Sequence, residues 1–144
     1  MNQNDPPTEH ILACLSSSPS NAKIVRTAAT MAKAFGGTFT ALYVRTPDSD
    51  QMGKEDRRRL QQHIRMAEQA GADISTIYGD DIPQQIAEFA RISGITKIVL
   101  GRSSAHRRHF WSGPSLTEKL TMTAPNLDIY IIPDASAENG YGSG

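Results

Sequence analysis

Apolar residues fall along this chain in short bursts that alternate between two periods. Ile11-Leu-Ala-Cys-Leu15 is a continuous apolar run that stops in Ser16-Ser-Ser-Pro19-Ser20, which predicts a buried strand ending in a loop. Ile24, Ala28, Met31 and Phe35 then recur every three or four positions. With Ser20 or Asn21 as N-cap and Gly36-Gly37 as terminator, this predicts a helix over 20–35. Phe39-Thr-Ala-Leu-Tyr-Val44 is rich in strand formers and predicts the second strand. After a loop around Pro47, Leu60, Ile64 and Ala67 mark the inner stripe of a helix over 54–70, which Gly71 ends.

The same alternation continues. Ala72-Asp-Ile-Ser-Thr-Ile-Tyr78 predicts a third strand at a sheet edge. Pro83 suits the first turn of a helix over 82–93, with Ile86 and Ala90 inward and Gly94 after it. Met31, Phe35, Phe89 and Ile92 are assigned to the core by periodicity. Lys97-Ile-Val-Leu-Gly101 is the fourth strand, Ser115 caps a short helix to about Thr123, and Leu127-Asp-Ile-Tyr-Ile-Ile132 is the last strand. A βαβαβαβαβ succession implies parallel strands with helices on both faces, in an α/β doubly wound sheet. Pattern alone leaves the strand order open between 2-1-3-4-5 and 3-2-1-4-5. In the second order, strands 1 and 4 are neighbours at the switch point. The loops Ser16–Ser18 and Gly101–Ser104 then flank the crevice where such sheets bind ligands.

Composition narrows the class. The chain has 144 residues, 15 Lys+Arg against 15 Asp+Glu, and 38% hydrophobic residues. That is one domain, expected over 10–134, with residues 1–9 and 135–144 read as polar or Gly/Ser-rich tails. A net charge of zero argues against non-specific binding to nucleic acid or a membrane surface. No apolar run is long enough to span a bilayer and no signal peptide opens the chain, so a cytoplasmic location is expected. A single cysteine, Cys14, excludes an internal disulfide and a Cys-cluster zinc site.

Two loops could carry chemistry. Gly101-Arg-Ser-Ser104 follows a strand, so its backbone N–H groups could approach an anion, and Ser115 opens a helix beyond it. Arg102, Arg107 and Arg108 add charge, and Trp111 adds a stacking face. The competing reading is a solvated basic loop with half-buried aromatics. Ser16, Ser17 and Ser18 stand in the corresponding place after strand 1, where helix capping is the plainer explanation. There is no G-x-S-x-G elbow to make any of them a nucleophile. His106 and His109 are spaced i, i+3, but two arginines lie between them and no acidic or thiol ligand is near, which argues against a metal site. Asp80 and Asp81 read as acidic residues at a helix start, and Arg57-Arg-Arg59 as a solvated helix face. No P-loop or G-x-G-x-x-G is present, and no catalytic constellation assembles.

The stretch from His10 to Asp134 resembles the universal stress protein domains, and among them the form carried by KdpD-type sensor histidine kinases that control potassium transport. The resemblance lies in Cys14-Leu-Ser-Ser-Ser-Pro-Ser-Asn-Ala-Lys23, Phe39-Thr-Ala-Leu-Tyr43, Tyr78-Gly-Asp-Asp-Ile-Pro83, Ile98-Val-Leu-Gly-Arg-Ser103 and Ala124-Pro-Asn-Leu-Asp-Ile-Tyr-Ile-Ile-Pro-Asp134. It implies a five-stranded parallel sheet of order 3-2-1-4-5. Nucleotide-binding members carry G-x2-G-x9-G-[ST] after strand 4. Here Gly101 and Ser115 match, whereas Ser104 and Pro114 replace the other two glycines, which counts against ATP. A second pattern, S-x-S-x20-F-T-A-x-Y, is associated in KdpD relatives with cyclic di-AMP. It is complete here in Ser16, Ser18, Phe39, Thr40, Ala41 and Tyr43.

The resemblance therefore implies a regulatory module without cofactor, metal or catalytic residues. Cyclic di-AMP is its expected ligand, held by Ser16, Ser17, Ser18, Phe39, Thr40, Ala41, Tyr43, Gly101, Arg102, Ser103, Ser104, Trp111 and Ser115. The parent kinase's other domains are its expected partners. The alternatives are a docking module that binds another stress protein domain or a second copy of itself, and a weak ATPase.

Overall fold

A computed structural model of the chain describes residues 8–102 and 114–133. Strand β1 spans His10–Cys14, helix α1 Asn21–Phe35 and strand β2 Thr38–Arg45; a 3-10 turn follows at Ser49–Gln51. Helix α2 spans Lys54–Gln69, β3 Asp73–Tyr78, α3 Ile82–Ile92, β4 Lys97–Gly101, α4 Leu116–Thr123 and β5 Asp128–Ile132. The five strands form one sheet of order β3-β2-β1-β4-β5, every pair parallel. The register pairs Ala13 with Ala41 and Val99, so the central three strands stay level along their length.

Burial follows position in the sheet. The central strands β1 and β4 are covered on both faces and read as unbroken apolar runs, whereas the edge strands β3 and β5 are partly exposed. Alternate residues divide between two cores. Ile11, Ala13, Phe39, Ala41 and Val99 pack under α1 and α2, while Leu12, Cys14, Leu42, Val44, Ile98 and Leu100 pack under α3 and α4.

Helix ends are set locally. Gly36 takes φ +64 and Gly37 donates to the Ala32 carbonyl, which closes α1. Asp81 caps α3 by accepting from the Gln84 amide, with Pro83 in the first turn. Ser115 caps α4 in the same way through the Glu118 amide. The expected cap of α1 differs: neither Ser20 nor Asn21 caps it with a side chain, because the Asn21 amide turns back to the preceding loop.

Two core assignments are corrected. Ile92 is 72% exposed. At about 100° per residue it lies on the side of α3 opposite to Ala90, and the buried stripe is Ile86, Ala87 and Ala90. Phe35, the last residue of α1, is half exposed. Its ring instead lies 4.8 Å from the Lys97 ammonium. Met31 and Phe89 are partly buried against the core as expected. Lys97, itself buried, bonds Asp128 at 2.7 Å and lies 3.7 Å from Glu9, tying the start of β4 to β5 and the N-terminal segment.

Candidate functional site

Parallel strands all end at one edge, and their loops must turn back from it. At that edge a cavity of about 480 Å3 opens above the ends of β1 and β2. Cys14, Leu15, Ser16 and Ser17 form one wall, Leu42, Tyr43 and Val44 the floor, and the Thr46–Ser49 turn with Met52 a second wall. Asp80, Ile82, Pro83 and Ile86 close it from the start of α3, with Leu116 of α4 behind. The volume is that of a small-molecule site, mostly apolar with a few polar groups at its rim.

The serine loop is held from three sides. The Ser16 amide donates to Asn21 Oδ1 at 2.6 Å, and Asn21 Nδ2 donates to Ser16 Oγ at 2.9 Å. Ser16 Oγ also accepts from the Ser18 amide at 3.2 Å, and the Ser18 and Ser20 hydroxyls lie 2.9 Å apart. Helix α2 supplies the third hold: His63 Nδ1 lies 3.0 Å from the Ser16 carbonyl, and Arg59 Nη1 donates to the Ser17 carbonyl at 3.2 Å. Among the described residues the Ser17 hydroxyl makes no hydrogen bond, which leaves it available at the cavity wall. On the opposite wall, Ser49 Oγ accepts from the Thr46 amide and donates to the Thr46 carbonyl, each at 2.8 Å, which fixes the turn that carries Asp48.

The residues expected at the site are therefore partly gathered and partly dispersed. Ser16, Ser17 and Tyr43 line the cavity, and Ser18 stands behind them in the same loop. Phe39, Thr40 and Ala41 do not line it. They lie within the body of β2, Phe39 about 13 Å back from Tyr43 at the rise of a parallel strand. Ala41 is fully buried opposite Ala13, so its side chain packs within the sheet. Gly101 is buried at the end of β4, where a Cβ would come 3.3 Å from Ile24 Cδ1 and 3.7 Å from Ser20 Oγ. Its smallness lets β4 end close beside the serine loop. Arg102 follows it and is exposed. Ser115 is buried, its hydroxyl donating to Glu118 Oε1 at 3.1 Å and accepting from the Glu118 amide, which caps α4. Ser103, Ser104 and Trp111, like His106, Arg107, Arg108 and His109, lie outside the described residues.

Asn21, His63 and Arg59 were not legible as site residues. Arg59 belongs to a run read as a solvated face; it does pair with Asp56 at 3.2 Å, but it also reaches Ser17. The one available signal was that His63 falls on the Leu60–Ala67 stripe, where a buried polar group requires a partner. Burial pushes the Cys14 thiol up from 9.0 to about 12, so it is neutral and no nucleophile at physiological pH. Among the described residues no cluster of three His, Cys, Asp or Glu side chains could hold a metal ion, and no helix is long and apolar enough to cross a membrane.

Comparison with known proteins shows the family and the fold. The sequence profile of the universal stress protein family matches residues 7–126. A sensor protein KdpD of Clostridium acetobutylicum is 36% identical over 134 residues, 90% of this chain and 14% of that protein. The Escherichia coli sensor protein KdpD is 30% identical over 122 residues, 85% of this chain and 13% of that protein. The chain thus spans about one-seventh of the length of these relatives. In fold it is similar to a universal stress protein crystallised in complex with cAMP, with a TM-score of 0.66 and 14% identity over 90% of this chain and all of that one.

Proposed function

The chain belongs to the universal stress protein family, and from that premise we propose that it is a regulatory input domain of a sensor histidine kinase, with cyclic di-AMP as its ligand. One observation carries the reading. The cavity at the C-terminal edge of the sheet is walled by Ser16, Ser17 and Tyr43, which belong to the complete S-x-S-x20-F-T-A-x-Y pattern.

The apolar floor of Leu42, Val44 and Ile86 suits an adenine, and the lining residues Asp48 and Asp80 offer acceptors for its amino group. A phosphodiester is directed to the Ser17 hydroxyl and toward Arg102 at the neighbouring strand end. The same two carboxylates disfavour ATP, whose triphosphate brings more negative charge to the rim than the two phosphodiesters of a cyclic dinucleotide. A cAMP-bound relative of the same fold supports an adenine nucleotide of the phosphodiester class. Binding regulates the kinase only to the extent that the ligand prefers one arrangement of the parent over another. The domain itself is expected to transfer no phosphoryl group, since among the described residues none lines the cavity as a phosphate-cradling lysine or histidine base.

Calorimetry with cyclic di-AMP and with ATP tests the reading. Saturable binding of cyclic di-AMP that ATP does not displace is expected. Arg102→Ala should weaken it about tenfold to a hundredfold, the effect of losing a charged donor, while the melting temperature stays nearly constant. If cyclic di-AMP does not bind, a docking module takes its place. The exposed Tyr130 and Ile131 on the edge strand β5 favour that second reading, with another domain or a second copy as partner.

A further inference from the structure

A second cavity of about 360 Å3 adjoins the first and shares Tyr43, Ser49 and Met52 with it. Its chemistry is the reverse of its neighbour's. The first cavity is lined by Asp48 and Asp80 and, among the described residues, by no cation. Among the described residues, the second is lined by two guanidinium groups, Arg45 and Arg57, against the single carboxylate of Asp50. Asp50 Oδ1 accepts from Arg45 Nε at 3.3 Å and Nη2 at 2.9 Å, and the Arg45 guanidinium lies 5.7 Å from the centre of the Tyr78 ring. Arg45 is thus oriented by neighbours on two sides. Arg57 Nη2 touches only the Met52 carbonyl, at 3.5 Å, among the described residues, so its charge is not neutralised locally.

Resting on the reading of the first cavity as an adenine site, we propose that Arg45 and Arg57 form a phosphodiester subsite that only the far half of a cyclic dinucleotide reaches. Adjoining lobes, one apolar and acidic and the other basic, match a ligand of two nucleotide units joined by two phosphodiesters. A mononucleotide is accommodated by the first lobe alone. Tyr43 stands between the lobes, among the described residues the only aromatic one shared by the two linings, and Arg57 supplies a charge-assisted donor beyond it. The second lobe then sets specificity: it rewards the dinucleotide and leaves affinity for a mononucleotide unaltered.

The test compares affinities for cyclic di-AMP and for AMP in the parent protein, Arg57→Gln and Asp50→Asn. Arg57→Gln is expected to weaken cyclic di-AMP about tenfold or more, with AMP unchanged within about twofold. Because the arginine is exposed, the loss should shrink at high salt. Asp50→Asn, which removes the opposing carboxylate, should strengthen cyclic di-AMP binding. Equal effects on both ligands, or none on either, overturn the second lobe while the first cavity stands. If the parent binds neither nucleotide, the reading of the first cavity falls and the subsite falls with it.

Discussion

Asn21 shows how much one buried amide can do at this edge of the sheet. It is 2% exposed, and it satisfies the Ser16 backbone amide and the Ser16 hydroxyl together. Asn21→Ala would leave that part-buried amide without its partner. A loss of about 1–3 kcal/mol in urea denaturation is expected, along with weaker ligand binding through the loosened serine loop. Cys14 makes a second residue-scale prediction. Its thiol pKa is about 12 in the folded chain and 9.0 without burial. The unfolded chain therefore ionises first as pH rises. The cysteine's contribution to stability is complete below pH 9.0 and declines progressively toward pH 12. Stability curves of the parent and Cys14→Val should run parallel up to pH 9.0 and diverge above it, the parent falling faster. Since Cys14 lines the cavity, alkylation of the folded parent should be slow and slower still with nucleotide bound.

Among the secondary-structure elements, β2 separates the two roles that a linear motif joins. Tyr43 reaches the cavity, whereas Ala41 sits opposite Ala13 with no exposed surface. Ala41→Leu is thus an overpacking variant: it should lower stability by about 1–3 kcal/mol in thermal or chemical unfolding, and any loss of binding should track the unfolded fraction. At α4, Ser115→Ala removes the cap hydroxyl from a helix of eight residues. A cost of about 1 kcal/mol is expected, measurable as a lower melting temperature. The strand and helix succession was readable because period two and period 3.6 leave distinct traces. Helix faces were less so: the periodicity that correctly turned Ile86 and Ala90 inward also claimed Ile92, because side-chain type does not reveal where the neighbouring layer ends.

The whole molecule rests on one sheet with a core on each side, and adjacent residues of β1 serve different cores. Ile11 belongs to the core under α1 and α2, and Leu12 to the core under α3 and α4. Ile11→Ala and Leu12→Ala should each cost about 2–5 kcal/mol. Both should shift a single urea transition, since the two layers share the same backbone hydrogen bonds; two separate transitions would contradict this. By itself the sequence determined the element succession, the parallel sheet and the residues of the serine loop, because those depend on local propensity, periodicity and chain order. Its motif also pointed to Tyr43. Only the tertiary structure decided that Arg59 and His63 hold the serine loop, that Phe39 and Ala41 pack within the sheet, and that Arg45 and Arg57 meet beside Tyr43. Those pairings join segments up to 47 residues apart. No local pattern encodes a distance across the sheet edge; it is set by how the helices settle on the two faces.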